Sequence, residues 1–314
     1  MIGIKLSGGL GNNMFQYASG HSLASSKNLR FCYFSQKDLS FYIKRIKKNI
    51  LSIFFGEKDL FQKQLSQRDL CEYFTLDQNK YILLIYRIIW LLKKRKRVFT
   101  YKLKAGKSFS REIIKDFYNC KDWTLLVGGF PSELFFTNRK RILDWFTPRE
   151  FYRKKIDDIE KKFTYPSHQR CCIHIRRGDY LFMDKGFALN DIGWSLPLEY
   201  YKYILKKLDK NMLFIFISDD IDWALNNFDF LPNKIFMRDN PEVVDLFIFS
   251  KCKYNILSRS TFSWWGAWLN QIPERIVYAP KYFIGIPQKI CVPPGLDEGR
   301  EVNNWRYIDF EEAC

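Results

Sequence analysis

MLFIFISDDIDWALNNFDFLPNKIFMRDNPEVVDLFIFSKCKYNIL, residues 212–257, is the stretch whose reading decides the fold class. Met212–Ser218 is an unbroken apolar run of strand length, and a helical segment follows around Trp223. A second short strand, Lys234–Met237, precedes a helix opened by Asn240-Pro241-Glu242, which reads as N-cap, N1 proline and first-turn acid. Tyr254–Leu257 is a third strand. Working outward, the same alternation continues on both sides. Upstream come a strand at Cys171–Arg176, a glycine turn and a helix near Leu198–Leu208. Downstream come a helix over about 262–270 and a strand at Arg275–Tyr278. Such a series implies a parallel sheet with its ligand crevice at the carboxyl ends of the strands.

The N-terminus carries a second unit of this kind. Strand Ile2–Leu6 leads through Ser7-Gly8-Gly9-Leu10-Gly11-Asn12 into a helix over roughly 13–26, then a strand near Leu29–Phe34. Residues 37–160 read as mostly helical. A polar stretch at Lys161–Gln169 places the domain boundary there, giving an N-terminal, acceptor-side domain 1–160 and a C-terminal donor domain 161–314. With 314 residues the chain is long enough for two cores. The leading architecture is two Rossmann-like α/β domains facing across a cleft.

Composition excludes several classes. The 29 Phe, 18 Tyr and 9 Trp rule out a disordered or fibrous chain. Eight Cys in 314 residues, with no C-x-x-C pair of metal spacing, argue against a secreted disulfide scaffold, and Cys171-Cys172 inside an apolar run reads as buried thiols in a reducing compartment. The start, Met1-Ile2-Gly3-Ile4, lacks signal-peptide character, so a cytoplasmic chain is expected. Residues 1–160 hold 31 Lys and Arg against 15 Asp and Glu, and residues 161–314 hold 20 against 19, so nearly all of the +17 charge lies in the first half. That asymmetry fits an anionic partner or simply a solvated basic surface. Residues 81–92, YILLIYRIIWLL, are too short to span a bilayer, which needs about 20 residues. Followed by Lys93, Lys94, Arg95, Lys96 and Arg97, they fit either an interfacial helix on the anionic inner face of a membrane or a core helix ending in a basic turn. No nucleic-acid-binding pattern is present, and nucleic acid is not expected as a partner.

Four places carry chemistry. Gly9 and Gly11 let a ligand approach a helix N-terminus, where free N–H groups favour an anion, although Met14 breaks the strict dinucleotide fingerprint. Asn12 adds a side chain that both donates and accepts. In HIRRGDY, residues 174–180, His174 and Arg176 share a strand face, and Arg176 emerges at the strand end with Arg177, Gly178 and Asp179 just beyond. Arginines at a crevice mouth suit a departing diphosphate; the plain alternative is a surface Arg–Asp pair around a core histidine. Asp219, at the next strand end, can accept from a guanine or ribose. Asp220-Ile221-Asp222 matches a metal-holding D-x-D, but Asp222 fits the first turn of a helix better, so no metal is expected. Ser260 and Thr261, before Phe262, either cap a helix or hold phosphate oxygens. There is no Walker A around Gly106-Lys107-Ser108, no H-E-x-x-H and no G-x-S-x-G, and three histidines (21, 168, 174) leave no His-rich metal site.

Taken together, GGLGNNMFQYA (8–18), HIRRGDY (174–180), SDD (218–220) and STFSWWGAWLN (260–270) resemble the bacterial α-1,2-fucosyltransferases of the glycosyltransferase family 11 type. The resemblance implies a GT-B fold, GDP-L-fucose as donor, a galactose-terminated oligosaccharide as acceptor, free or lipid-linked, and metal-independent, inverting transfer. It places Arg176 on the donor diphosphate with His174 and Arg177 in support, Ser260 and Thr261 on phosphate oxygens, Asp219 near the nucleoside and Asn12 at the fucose–phosphate junction. Asn13, Tyr254 and Arg259 depart from the usual pattern. Asp179 is the candidate base, or else orients Arg176. The rival readings are another nucleotide sugar or linkage, and a non-catalytic basic membrane or nucleic-acid-binding protein.

Overall fold

The structure, a computed structural model, describes residues 1–34, 70–76, 97–100, 111–181, 195–281 and 302–309. These fall into two compact units divided at Thr147/Pro148. The first is built on a parallel sheet in the order β2-β1-β4-β3, with β1 Ile2–Lys5, β2 Phe31–Phe34, β3 Arg97–Thr100 and β4 Thr124–Val127. Helix Leu10–Ser26 connects β1 to β2 and is buried nearly all round. Gly20 lets it lie close on the sheet, because a Cβ there would press into the Phe31 ring and the Ile4 side chain. The helix begins at Leu10 rather than 13, so Gly11 and Asn12 belong to its first turn and Gly9 is its N-cap. β3 and β4 correct the mostly helical reading of 37–160: β3 is largely exposed and lacks an apolar run, and the apolar TLLV of β4 reads equally well as part of a helix. Arg97, expected to close the basic run, opens β3 and donates to the Asp122 carbonyl at 3.0 Å. Residues 81–96 lie outside the described residues.

The second unit holds a parallel sheet in the order β10-β9-β8-β5-β6-β7. Its strands are β5 Arg170–Ile175, β6 Leu213–Ser218, β7 Lys234–Phe236, β8 Tyr254–Ile256, β9 Ile276–Pro280 and β10 Arg306–Ile308. Four helices, Leu198–Leu205, Ile221–Asn227, Glu242–Ser250 and Thr261–Leu269, alternate with β5 to β9 in the expected sequence. Chain order runs from β5 outward through β6 and β7, then returns to β8 beside β5 and runs outward the other way. That is the doubly wound order, which reverses between β5 and β8. β5 and β6 are buried along almost their whole length, as strands covered on both faces must be.

Helix Glu150–Glu160, upstream of the expected boundary, packs with the second unit. Glu160 holds Arg170 at 2.7 Å through one carboxylate oxygen and Lys251 at 2.6 Å through the other. The start of helix Glu242–Ser250 also differs from expectation. Pro241 takes the N-cap position, and the Asn240 amide turns instead to donate to Asp245 at 3.0 Å.

Candidate functional site

The order reversal of the second sheet separates the chain leaving β5 from the chain leaving β8, and this opens space at their carboxyl ends. Three side chains brace that point. His174, near the end of β5, shares a 2.6 Å hydrogen bond between Nδ1 and the Ser258 hydroxyl, just past β8. From helix Leu198–Leu205, Tyr200 donates to the Leu257 carbonyl at 3.0 Å and Tyr201 to the His174 carbonyl at 3.4 Å. Both tyrosines are fully buried, so each phenol fills core volume while its hydroxyl holds one of the two strand ends. No sequence pattern marks Tyr200 or Tyr201, and Ser258, one of the hydroxyls gathered before helix Thr261–Leu269, turns to His174 instead of to that helix. The His174–Ser258 pair is separated by 84 residues, and only the strand order brings the two together.

Burial, with a smaller effect from the Arg176 guanidinium, pushes His174 down to about 3. The imidazole is therefore neutral at physiological pH and serves as a bracket, with its ring centre 5.0 Å from that of Phe262.

Directly beyond β5 lies a cluster of charge. Arg176 reaches Asp179 at 2.5 Å and Asp219 at 3.2 Å. The Arg177 N–H donates to Asp219 at 2.8 Å, and its side chain holds Asp220 at 3.0 Å while lying over the Trp223 ring. Gly178 is required by this crowding, since a Cβ there would strike the Asp219 carboxylate. Arg176 is about one-third exposed. Its fork is thus oriented by two carboxylates, which leaves N–H donors for a further anion.

On the β8 side the chain runs through Ser258 and Arg259 into helix Thr261–Leu269. Ser260 is the N-cap: its hydroxyl accepts from the Phe262 N–H at 3.2 Å. Ser263 fastens the same turn by donating to the carbonyls of Ser258 and Ser260. Arg259 is buried, and its charge acts on the phenols of Tyr180, Tyr200 and Tyr201. Arg176, which lies over the Tyr180 ring, and Arg259 both act on Tyr180.

Beside these groups, at the ends of β6 and β7, is a cavity of about 380 Å³ lined by Ser218, Asp220, Asp222, Arg238, Asn240 and Asp245 among others. Asp220 caps helix Ile221–Asn227 by accepting from the Trp223 N–H, while Asp222 pairs with Arg238 at 2.8 Å. The two D-x-D carboxylates are thus turned to different partners. Burial raises Asp245 to about 7, against the opposing hydrogen bond from Asn240.

The structure brings His174, Arg176, Arg177, Asp179, Asp219, Ser260, Thr261 and Phe262 to neighbouring strand ends of one sheet. Gly9, Gly11 and Asn12 sit in the first unit, at the corresponding end of its own sheet. There Gly8 has φ +85°, and a side chain on it would run into that of Asn12.

The family model described as Glycosyl transferase family 11 matches residues 1–283. An O-antigen biosynthesis glycosyltransferase of Escherichia coli, WbnK, is 30% identical over 302 residues, which span 89% of this chain and 94% of that protein. An alpha-1,2-colitosyltransferase, also of Escherichia coli, is 28% identical over 293 residues, or 88% of this chain and 90% of that protein. Among solved structures, the fucosyltransferase NodZ from Bradyrhizobium aligns with a TM-score of 0.51 at 11% identity, covering 85% of this chain and 92% of that one. That likeness places the fold with fucosyltransferases of the GT-B kind.

Proposed function

The chain belongs to glycosyl transferase family 11, and from that premise we propose that it transfers L-fucose from GDP-L-fucose to the 2-hydroxyl of a galactose residue in a cell-surface glycan precursor. The enzyme is a glycosyltransferase; the fucosyl donor rests on the four-motif resemblance, and the glycan setting on the likeness to the O-antigen enzyme WbnK. The observation that carries the reading is Arg176, held by Asp179 and Asp219 at the point where the order of the second sheet reverses.

Breaking the bond between sugar and diphosphate sends negative charge onto the β-phosphate. Oriented cations and helix N-terminal amides meet that charge without reorganising, and such preorganised electrostatics is usually the largest catalytic contribution. Arg176 takes the diphosphate, supported by Arg177 and by His174 as bracket. Ser260 and Thr261, at the start of helix Thr261–Leu269, hold phosphate oxygens, and Phe262 packs against His174. Asp219, already engaged by both arginines, aligns them beside the nucleoside. Asn12 serves the sugar–phosphate junction, and Gly9 and Gly11 give the donor close access to the backbone. The acceptor hydroxyl attacks from the opposite face, inverting the anomeric carbon. Asp179 receives its proton, a task for which a weak base suffices when bond breaking is far advanced. The reaction needs no metal.

A second reading has specific support: the relative at 28% identity is a colitosyltransferase, so a different sugar with the same linkage is its content. The test is a panel of GDP-sugars against galactose-terminated acceptors in EDTA, with linkage analysis of the product. Fucose in α-1,2 linkage to galactose is expected. A different donor, a different linkage or dependence on added Mn²⁺ would contradict the reading.

We also place the reaction at the inner face of the cell membrane, on a free or lipid-linked acceptor, with Lys93 to Arg97 on the anionic surface. Among the described residues no helix is long and apolar enough to cross a membrane. Charge reversal across Lys93–Arg97 should release the protein from anionic vesicles, and unchanged binding at low salt would remove that contact.

A further inference from the structure

Gln16 lies in the second turn of helix Leu10–Ser26 and is 1% exposed. A buried primary amide left without partners is destabilising, and this one bonds two strand ends at once. Its oxygen accepts from the Ser7 N–H at 2.8 Å. Its nitrogen donates to the Ser7 hydroxyl at 3.0 Å and to the Gly128 carbonyl at 2.9 Å. Ser7 leaves β1 and Gly128 leaves β4, and these strands are paired neighbours. The next residue after Ser7 is Gly8, in the left-handed region at φ +85°, where a Cβ would strike the Asn12 side-chain amide. One side chain thus fixes Ser7, Ser7 fixes Gly8, and Gly8 seats Asn12.

We propose that Gln16 is a positioning residue for the transfer reaction, setting Asn12 at the sugar–phosphate junction by clamping the ends of β1 and β4. The inference rests on the proposed role of Asn12, and it assigns to Gln16 a task that neither the motif reading nor the comparisons gave it. A glutamine at this place is more than core filling, because an apolar residue of equal length fills the volume without bonding either strand end.

The test is a double-mutant cycle with Gln16→Met and Asn12→Ala, run with whichever nucleotide sugar the wild-type enzyme turns over, so that failure of the fucose reading leaves it intact. Gln16→Met should lower kcat about 10- to 100-fold while GDP binding, which the proposed function assigns to the second unit, stays within twofold. The double variant should be no slower than Asn12→Ala alone, because both changes remove the same function. Hydrogen exchange supplies a readout independent of activity: in Gln16→Met the amides of Ser7 to Asn12 should exchange faster while those of Ile2–Lys5 keep their protection. Losses that multiply in the double variant, full activity in either single variant, or unchanged exchange in residues 7–12 would each overturn the proposal.

Discussion

The two sheets tie their central strand ends together in the same way but set different groups beyond them. In the first unit Gln16 bridges the ends of β1 and β4 through the backbone and hydroxyl of Ser7 and the carbonyl of Gly128. In the second, His174 bridges β5 to Ser258 beyond β8, and charged groups gather directly outside it. Neither bracket is itself charged at neutral pH: one is an amide, and the other is an imidazole kept neutral by burial. The difference lies in what each bracket presents. The first holds glycines and an asparagine, which shape a loop; the second holds arginines, whose forks are oriented by carboxylates. Each bracket thus orders what lies just beyond its own sheet, a glycine-rich loop in one unit and a cluster of charge in the other.

The sharpest way to break this comparison is Arg176→Ala. If the second sheet supplies the electrostatics, turnover should fall by about 10²–10³. The thermal midpoint should move little, because the ion pairs of Arg176 are partly exposed and such pairs add about 0–1 kcal/mol. Near-normal turnover would dissolve the distinction between the sheets.

Acid should find the second bracket and pass over the first. In the folded chain His174 stays neutral down to about pH 3, whereas in the unfolded chain it protonates near its ordinary value of about 6.5. The unfolded state binds the extra proton, so stability is lost as pH falls through 6.5 towards 3. Most of that loss is present by pH 4.5, and His174→Gln should remove it. Asp245 works in the opposite sense. Raised to about 7 by burial, it keeps its proton in the folded chain when the unfolded chain has released it. Its contribution is full below about pH 4 and is lost as pH rises to 7, so Asp245→Asn should flatten that limb. Thermal midpoints from pH 4.5 to 8 for wild type and both variants check the two signs, and parallel curves would refute them.

A smaller effect is expected where backbone shape serves charge in the second unit. Gly178→Ala pushes a methyl against the Asp219 carboxylate and so displaces Arg176 and Arg177. A loss of about 10-fold in kcat/KM with intact folding is expected from such misplacement, and an unchanged kcat/KM would show that the Asp219 contact does not set the arginines.

The alternation of the second half was legible because its strands are apolar runs and its helices carry their own start signals. Observed ends differ from the expected ones by up to three residues. Arg176 and Asp219 were legible because a strand end followed by charge is a local pattern. The brackets were not. His174–Ser258 spans 84 residues and Gln16–Gly128 spans 112, and nothing local marks a residue as half of such a pair. β3 was missed because Arg97, Val98 and Thr100 are exposed, so RVFT lacks the apolar run of a buried strand, and β4 because the apolar TLLV reads equally well as part of a helix. The early start of the first helix was missed because Gly9 caps it without a side-chain bond, so the usual N-cap signal is absent.

The most direct measurement is calorimetric titration of GDP and of guanosine into the wild-type protein and into Arg176→Ala. Wild type should bind GDP far more tightly than guanosine, and the variant should lose most of that advantage while its guanosine affinity holds. A variant that retains the full preference for the diphosphate would contradict the account at its centre.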